Sequence, residues 1–315
     1  MGGLFSWLVR QGLPLVPKPL VGRVARRYVA GETLEQALET VGALAGEGAM
    51  ATLDLLGEEV TEPSRAVACV EEYERMLTAI AARGLPSNVS IKPTGLGLKI
   101  GEAACRENVE RIVAAAHRHG NFVRIDMEDA STTDFTLDLY RELHPRYGNV
   151  GAVLQAYMRR TLADVDRLPA QGANVRLCKG IYIEPRRVAF GAYETVRLNF
   201  LQALEKLVAR GVYVGIATHD EHLVCGALAI LDRHRVPVER YEFQMLLGVE
   251  SELRRILIGE GHRLRVYVPY GRDWYPYSVR RLRENPEIAR HVLRSLFRGR
   301  RPAAEGALRP GTGRA

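Results

Sequence analysis

The sequence of 315 residues predicts an α/β protein built as a (β/α)8 barrel of the TIM type. Short, almost continuously apolar runs recur along the chain with helical patterns between them, as expected for parallel strands buried on both faces. The predicted strands are 51–56, 88–92, 122–127, 151–156, 174–178, 213–217, 241–246 and 264–268. Eight such units in order favour a closed barrel. A doubly wound sheet normally carries a glycine-rich turn after its first strand, but only Gly57-Glu58-Glu59 follows here.

The segments between the strands show the spacing of amphipathic helices. The clearest predicted helices are 64–82, 102–117, 188–209 and 221–234. Before the first strand, residues 4–46 predict two or three helices that break at Pro14, Pro17 and Pro19. From Gly299 onward, a non-periodic Arg/Pro/Gly/Ala-rich composition predicts a disordered tail. We therefore expect a helical segment over 1–46, the (β/α)8 barrel over 47–298 and a basic tail over 299–315.

Composition and charge narrow the classes of function. A hydrophobic share of 47% and a charged share of 26% are typical of a globular protein, and no apolar run predicts a membrane span. The net charge of +7 comes almost wholly from arginine, much of it within 10–27 and 298–314. Because no nucleic-acid-binding motif accompanies this charge, we expect no nucleic-acid partner and predict a peripheral contact with an anionic membrane. Simple solubility is the alternative use of the charge.

The cysteines and the N-terminus predict the compartment. Four cysteines are scattered without a C-x-x-C pair, which favours reduced thiols over a disulfide frame or a zinc site. The first residues lack both a basic region ahead of their apolar stretch and a small-residue cleavage site, so no signal peptide is expected. We expect a cytoplasmic protein that docks at the inner face of the cell membrane.

The predicted carboxyl ends of the strands are unusually polar, and in barrels of this kind chemistry takes place at those ends. The polar residues there are Glu58, Lys92, Asp126, Glu128, Asp129, Gln155, Tyr157, Arg176, Lys179, Tyr182, Thr218, His219, Asp220, Gln244 and Tyr267. Ionisable groups beside apolar strands need partners or a ligand to offset their desolvation. Singly, each has a structural alternative: Lys92 or Lys179 could form an ion pair, and Asp126 could neutralise Arg124 or Arg176. Together they predict a functional site.

A second polar cluster follows the last predicted strand. Tyr277, Arg280, Arg281 and Glu284 are spaced three and four apart, so on a helix they share one face. Two adjacent guanidinium groups suit a planar carboxylate, because each presents rigid paired donors. A solvated helix face is the alternative for this pattern.

Taken together, these segments resemble the proline dehydrogenases, the FAD enzymes that oxidise proline. The resemblance depends on the Y-x-x-R-R-x-x-E pattern at 277–284 and on VRLCKGIY at 175–182. Further matches, in the family's order, are VRIDMED (123–129), VLQAY (153–157), ATHD (217–220), EFQMLLG (242–248) and Y-x-P-x-G (267–271). The resemblance covers about residues 45–297 and is strongest to the short bacterial form.

This resemblance implies a reaction and its partners. L-proline is expected to become 1-pyrroline-5-carboxylate, the first step of proline catabolism to glutamate, as a hydride passes from a ring carbon to N5 of FAD. The electrons are expected to pass to a membrane quinone. No aldehyde dehydrogenase domain is expected, so the product would pass to a separate 1-pyrroline-5-carboxylate dehydrogenase.

The resemblance also implies a role for each matching residue. The substrate carboxylate is expected to contact the three cations Lys92, Arg280 and Arg281. The substrate ring is expected to contact Tyr182, Leu246, Tyr267 and Tyr277. FAD is expected to contact Gln155, Arg176, Lys179, Gly180, Thr218, His219 and Glu284, with Asp126 bracing the site's cations. Glu58 is expected to pair with Arg281 as a gate. No metal is expected, and Ile181 departs from the alanine usual in the family.

Two other functions stay open on the residues alone. A class I aldolase-like barrel would use Lys179 as a Schiff-base nucleophile. A non-catalytic barrel that binds amino acids is the other, although the crowded ionisable ends of the strands count against it. No H-x-H on the first strand and no H-E-x-x-H motif is present, which counts against a metal-dependent hydrolase.

Overall fold

The eight predicted strands form a closed parallel barrel in the computed structural model, which describes residues 27–169, 171–275 and 277–278. The strands are β1 (Met50–Leu55), β2 (Ser87–Ile91), β3 (Val123–Ile125), β4 (Val150–Gln155), β5 (Asn174–Cys178), β6 (Tyr213–Ala217), β7 (Tyr241–Leu246) and β8 (Leu264–Tyr270). Each strand pairs with the next along the chain, and β8 pairs in parallel with β1 to close the barrel. The predicted (β/α)8 fold is confirmed.

Helices surround this barrel and cover its outer face. They are α1 (Leu34–Gly46), α2 (Pro63–Ala82), α3 (Glu102–Arg118), α4 (Thr133–Tyr147), α5 (Thr161–Asp166), α6 (Tyr193–Ala209), α7 (Glu221–Arg233) and α8 (Ser251–Gly259). Helix α1 begins with a capping box: the side chain of Thr33 accepts a hydrogen bond from the N–H of Gln36, and the side chain of Gln36 accepts one from the N–H of Thr33. Its buried face, which includes Leu38 and Val41, packs against β1 and β8.

One predicted helix starts later than the sequence indicated. Residues 188–192 are not helical, and α6 begins at Tyr193. The reason is that this stretch pairs with the loop after β4: the N–H of Arg159 donates to the oxygen of Val188 at 3.0 Å, and the N–H of Phe190 donates to the oxygen of Tyr157 at 2.7 Å. These contacts fix the loop after β5 beside the loop after β4, at the carboxyl end of the barrel.

The described part of the N-terminal segment lies against the end of β8. The N–H of Ala30 donates to the oxygen of Pro269, and the N–H of Gly271 donates to the oxygen of Gly31, both at 2.9 Å. Val29 packs with Leu56 and with Tyr277 in a small buried cluster. The predicted helices within residues 4–26, the arginine pair and the basic tail lie outside the described residues. Within the described ranges, no helix is both long enough and apolar enough to cross a membrane.

Candidate active site

A cavity of about 240 Å³ opens at the carboxyl ends of the strands. Most of the residues predicted for the site line it: Glu58, Lys92, Asp126, Gln155, Arg176, Lys179, Gly180, Tyr182, His219, Leu246 and Tyr267. They come from strands or loops all around the barrel, so sequence segments far apart in the chain meet at one place.

Two predicted residues lie away from the lining. Thr218 is buried, and its Oγ1 accepts a hydrogen bond from the N–H of Asp220 at 3.1 Å. Tyr277 is also buried, in the cluster with Val29 and Leu56. Arg280, Arg281 and Glu284 lie outside the residues that the structure describes, so the predicted carboxylate clamp and the predicted gate between Glu58 and Arg281 stay predictions.

Asp126 joins the two cations in the barrel interior. One of its oxygens accepts hydrogen bonds from Arg176 Nη1 and Ser90 Oγ, both at 2.6 Å, and the other accepts from the Tyr267 hydroxyl at 2.8 Å. Lys92 Nζ lies 3.9 Å from that second oxygen. Burial opposes the charge on Asp126, but Arg176 and Lys92 outweigh it and lower the pKa of this carboxyl. Arg176, and not Arg124, is its arginine partner.

Lys92 is held by a residue that the sequence analysis missed. Its Nζ donates to Asp54 Oδ1 at 2.5 Å and to the Tyr267 hydroxyl at 3.2 Å. Burial disfavours the ammonium, but the nearby carboxylates of Asp54 and Asp126 raise the pKa of Lys92 above its ordinary value. The available signal was the single carboxylate inside the apolar run of the first strand, since a buried charge requires a partner.

The polar network continues from Arg176 toward the amino ends of the strands. Arg176 Nε donates to Gln244 Oε1, and Gln244 Nε2 donates to Glu242 Oε1, both at 2.6 Å. Glu242 also accepts from Arg265 Nε at 2.7 Å. A Cβ at Gly215 would collide with the side chain of Gln244, so glycine leaves the space that this network needs. The interior is therefore filled by paired polar groups where many such barrels have branched aliphatic side chains.

A second ionic cluster lies on the rim after β5 and β6. The carboxylate of Asp220 accepts from Lys179 Nζ at 3.3 Å, from the Tyr193 hydroxyl at 2.5 Å and from Arg197 Nη2 at 2.8 Å. Burial raises the pKa of Asp220, but these donors outweigh burial and hold it below its ordinary value. Lys179 is thus one member of an ion-paired cluster at the rim of the cavity.

Backbone geometry shapes the wall beside this cluster. Gly180 has φ of +102°, and a Cβ there would collide with the ring of Tyr157, so only glycine fits this bend. Across the cavity, Nε2 of His219 accepts a hydrogen bond from the N–H of Leu246 at 2.8 Å. Because that nitrogen is an acceptor, a neutral His219 carries its proton on Nδ1. Both features fix the positions of lining residues.

Glu128 is a buried acid in the lining. Its two oxygens accept hydrogen bonds from the N–H of Thr94 at 2.9 Å and from the Thr94 hydroxyl at 2.5 Å. Burial nevertheless dominates and raises the pKa of Glu128 to about 7. Near neutral pH this carboxyl is therefore only partly ionised.

A closed parallel barrel with a buried, charge-paired cavity at the carboxyl ends of its strands is the arrangement of (β/α)8-barrel enzymes. Comparison with known proteins identifies the family within this class. The family model for proline dehydrogenase matches residues 37–294. The chain belongs to the proline dehydrogenase family.

Individual relatives agree with this assignment. The chain is 37% identical over 274 residues to proline dehydrogenase 1 of Bacillus subtilis subsp. natto, which covers 87% of this chain and 91% of the relative. It is 37% identical over 281 residues to proline dehydrogenase of Deinococcus radiodurans, covering 88% and 91%. In fold, it is similar to proline utilization A from Bdellovibrio bacteriovorus, with a TM-score of 0.78 at 24% identity. That match covers 89% of this chain and 34% of the larger protein.

Proposed function

We propose that the protein oxidises L-proline to 1-pyrroline-5-carboxylate with FAD as its cofactor, in the first step of proline catabolism. The observation that carries this proposal is the pair of buried cations, Lys92 and Arg176, held on opposite sides of Asp126 at the cavity. In this proposal Lys92 binds the substrate carboxylate, and Arg176 lies beside the electron-accepting ring. Membership of the proline dehydrogenase family supports the same reaction.

The substrate side of the cavity is assigned to Lys92 and its neighbours. An ammonium has three N–H donors, and among the described residues Asp54 and Tyr267 accept two of those of Lys92. In this proposal the third binds the substrate carboxylate. Tyr267, Tyr182 and Leu246 would enclose the apolar ring and exclude water. In this proposal Arg280, Arg281 and Tyr277 complete the pocket, as the sequence resemblance implies.

The other residues that line the cavity suit a flavin. The lining there combines an apolar wall, which includes Val153, Ala217 and Met245, with hydrogen-bonding side chains, as a flat ring with polar edge atoms requires. The residues that would hold FAD are Gln155, Arg176, Lys179, Gly180 and His219, with Thr218 supporting the wall from behind and Glu284 added from the sequence. When bound, FAD supplies two-electron oxidation by accepting a hydride. The protein contributes orientation, charge and a site closed to water.

The aldolase-like alternative is not favoured. A Schiff-base lysine must be deprotonated, and apolar or cationic surroundings favour that form. Lys179 instead lies 3.3 Å from the carboxylate of Asp220, which also binds Arg197. This ion pair and membership of the proline dehydrogenase family both count against a Schiff-base role for Lys179.

Partners and location follow from the reaction and remain part of the proposal. The electrons would pass to a membrane quinone, and the product would pass to a separate 1-pyrroline-5-carboxylate dehydrogenase. The basic segment 10–27 would hold this cytoplasmic enzyme against the inner face of the membrane. Flotation with anionic liposomes at low salt tests the membrane contact, and absence of binding would refute that contact.

The reaction is tested with the protein reconstituted with FAD. Anaerobic addition of L-proline is expected to bleach the visible flavin absorbance, because two electrons enter the cofactor. A protein that stays colourless after reconstitution, or keeps its oxidised spectrum in excess proline, would refute the proposed function.

Lys92→Met should raise the KM for proline by about one hundredfold, since losing a charge-assisted contact costs a few kcal/mol. Steady-state kinetics with a dye acceptor measures this change. Lys99→Met is the matched control, because Lys99 pairs with Glu59 only at the surface, at 3.5 Å. Equal KM values for the wild type and the Lys92 variant would contradict the placement of the carboxylate.

A further inference from the structure

We propose that Asp54 is a positioning residue for substrate binding: it keeps the Lys92 ammonium charged and fixed beside the cavity, ready for the substrate carboxylate. This inference rests on the proposed function, because it requires that Lys92 meets an anionic ligand. Asp54 makes no contact with the ligand in this scheme and acts through Lys92.

The strand register brings the two residues together. Asp54 on β1 lies opposite Ser90 on β2, and Lys92 follows Ser90 by two residues, at the same end of the barrel. Asp54 is fully buried, and its Oδ1 lies 2.5 Å from Lys92 Nζ. Its Oδ2 has no hydrogen-bond partner among the residues that the structure describes. Lys92 is thus the only donor that the described contacts give to this carboxylate.

Nearby hydroxyl groups do not replace that donor. The Tyr73 hydroxyl donates to the backbone oxygen of Ser90 at 2.8 Å, and the Tyr270 hydroxyl donates to Glu72 at 2.7 Å. Each tyrosine has one hydroxyl proton, so neither has another for Asp54. Asp54 and Lys92 therefore depend on each other for compensation of charge.

Asp126 does not fill the same role for Lys92. Oδ1 of Asp126 accepts from Arg176 at 2.6 Å, whereas Lys92 Nζ lies 3.9 Å from Oδ2. Loss of charge at Asp54 would therefore leave two cations to share one carboxylate. Among the described residues, the other titratable or charged groups around the pair are Glu58, Tyr73, Glu128, Arg176, Tyr267 and Tyr270.

The consequence is a change in how ligand affinity depends on pH. Burial alone disfavours a charged lysine, and Asp54 is the carboxylate that contributes most to offsetting the burial of Lys92. In Asp54→Asn the side chain keeps its shape and loses its charge, so Lys92 should release its proton at a lower pH. A ligand carboxylate would then lose its cation as the pH rises.

The test measures binding of tetrahydrofuran-2-carboxylate, the oxygen analogue of proline, which has the ring and carboxylate but no N–H to oxidise. Its Kd is determined from pH 7 upward for wild type, Asp54→Asn and the control Thr52→Val. Thr52 is equally buried on β1 but bonds to Asn88, away from the cavity lining. We expect the control to follow the wild type at every pH, with a change in Kd only near pH 7, where Glu128 in the lining ionises. For Asp54→Asn we expect a higher Kd, which rises by about a further tenfold per pH unit once Lys92 deprotonates.

A double variant separates charge from packing. Arginine stays protonated throughout this range, so Asp54→Asn combined with Lys92→Arg should lose the pH dependence of the single variant. If the asparagine variant does not fold, Asp54→Ser takes its place in the same titration. A wild-type Kd at every pH, or a loss of affinity that is equal at every pH, would overturn the inference. Failure of proline to reduce the wild-type flavin would instead refute the proposed function.

Discussion

Arg176→Met is expected to lower the free energy of unfolding by about 3–5 kcal/mol, because it leaves a buried carboxylate without its closest cation. Arg176 donates to Asp126 and to Gln244, each at 2.6 Å, so its loss also breaks the network toward Glu242. Urea denaturation of the variant and the wild type at pH 7 measures the difference.

An exposed arginine provides the matched control. Arg83 pairs with Glu35 at 2.8 Å on the surface, and pairs of that kind contribute about 0–1 kcal/mol. We expect Arg83→Met to unfold close to the wild-type midpoint. If the two variants lose the same stability, the Asp126 network does not stabilise the barrel.

In the wild type, Glu128 is expected to lower the free energy of unfolding as the pH rises from about 4.5 to 7. Glu128→Gln is expected to abolish this contribution. The pKa of Glu128 is raised from 4.5 to about 7, chiefly by burial. Within this window the folded state keeps a proton that the unfolded state has released, so the free energy of unfolding falls with increasing pH. The full effect is about 3 kcal/mol. Glutamine stays neutral, so denaturation curves across this window should show a flatter profile for the variant.

Thr94→Val provides a change in the opposite direction. The Thr94 hydroxyl donates to Glu128 and favours its ionised form. Without this bond, the pKa of Glu128 should rise further, and the loss of stability should extend to higher pH. Parallel pH profiles for wild type, Glu128→Gln and Thr94→Val would show that Glu128 is not the titrating group.

The strands were predictable because burial on both faces leaves a simple sequence pattern. Every residue of β4 is buried and all but its last residue, Gln155, are apolar, so an apolar run marked this strand within a residue. The start of α6 was not predictable in this way. Residues 188–192 carry a helical pattern, but their backbone donors and acceptors are used by the loop after β4. Tertiary pairing of this kind leaves no local signal.

The site was predictable where polar residues end strands, and less so inside the barrel. Lys92 and Asp126 stood out because they follow apolar runs, and they do line one cavity. Asp54 did not, because in a strand that is buried on both faces alternation cannot tell which residue faces the interior. Glu242 and Arg265 share that difficulty, since each finds its partner only when β8 pairs with β7.

The central claim is that proline is oxidised at C5, the ring carbon that is bonded to nitrogen and bears no carboxylate. Isotopic labelling tests this claim most directly. L-proline that carries two deuterium atoms on C5 is mixed anaerobically with the FAD-reconstituted enzyme, and L-proline with deuterium on C2 serves as the comparison. We expect slower flavin reduction only with the C5-labelled substrate, and a 1-pyrroline-5-carboxylate product that retains one of its two deuterium atoms. Slowing by the C2 label, or a product that keeps both C5 deuterium atoms, would contradict the account.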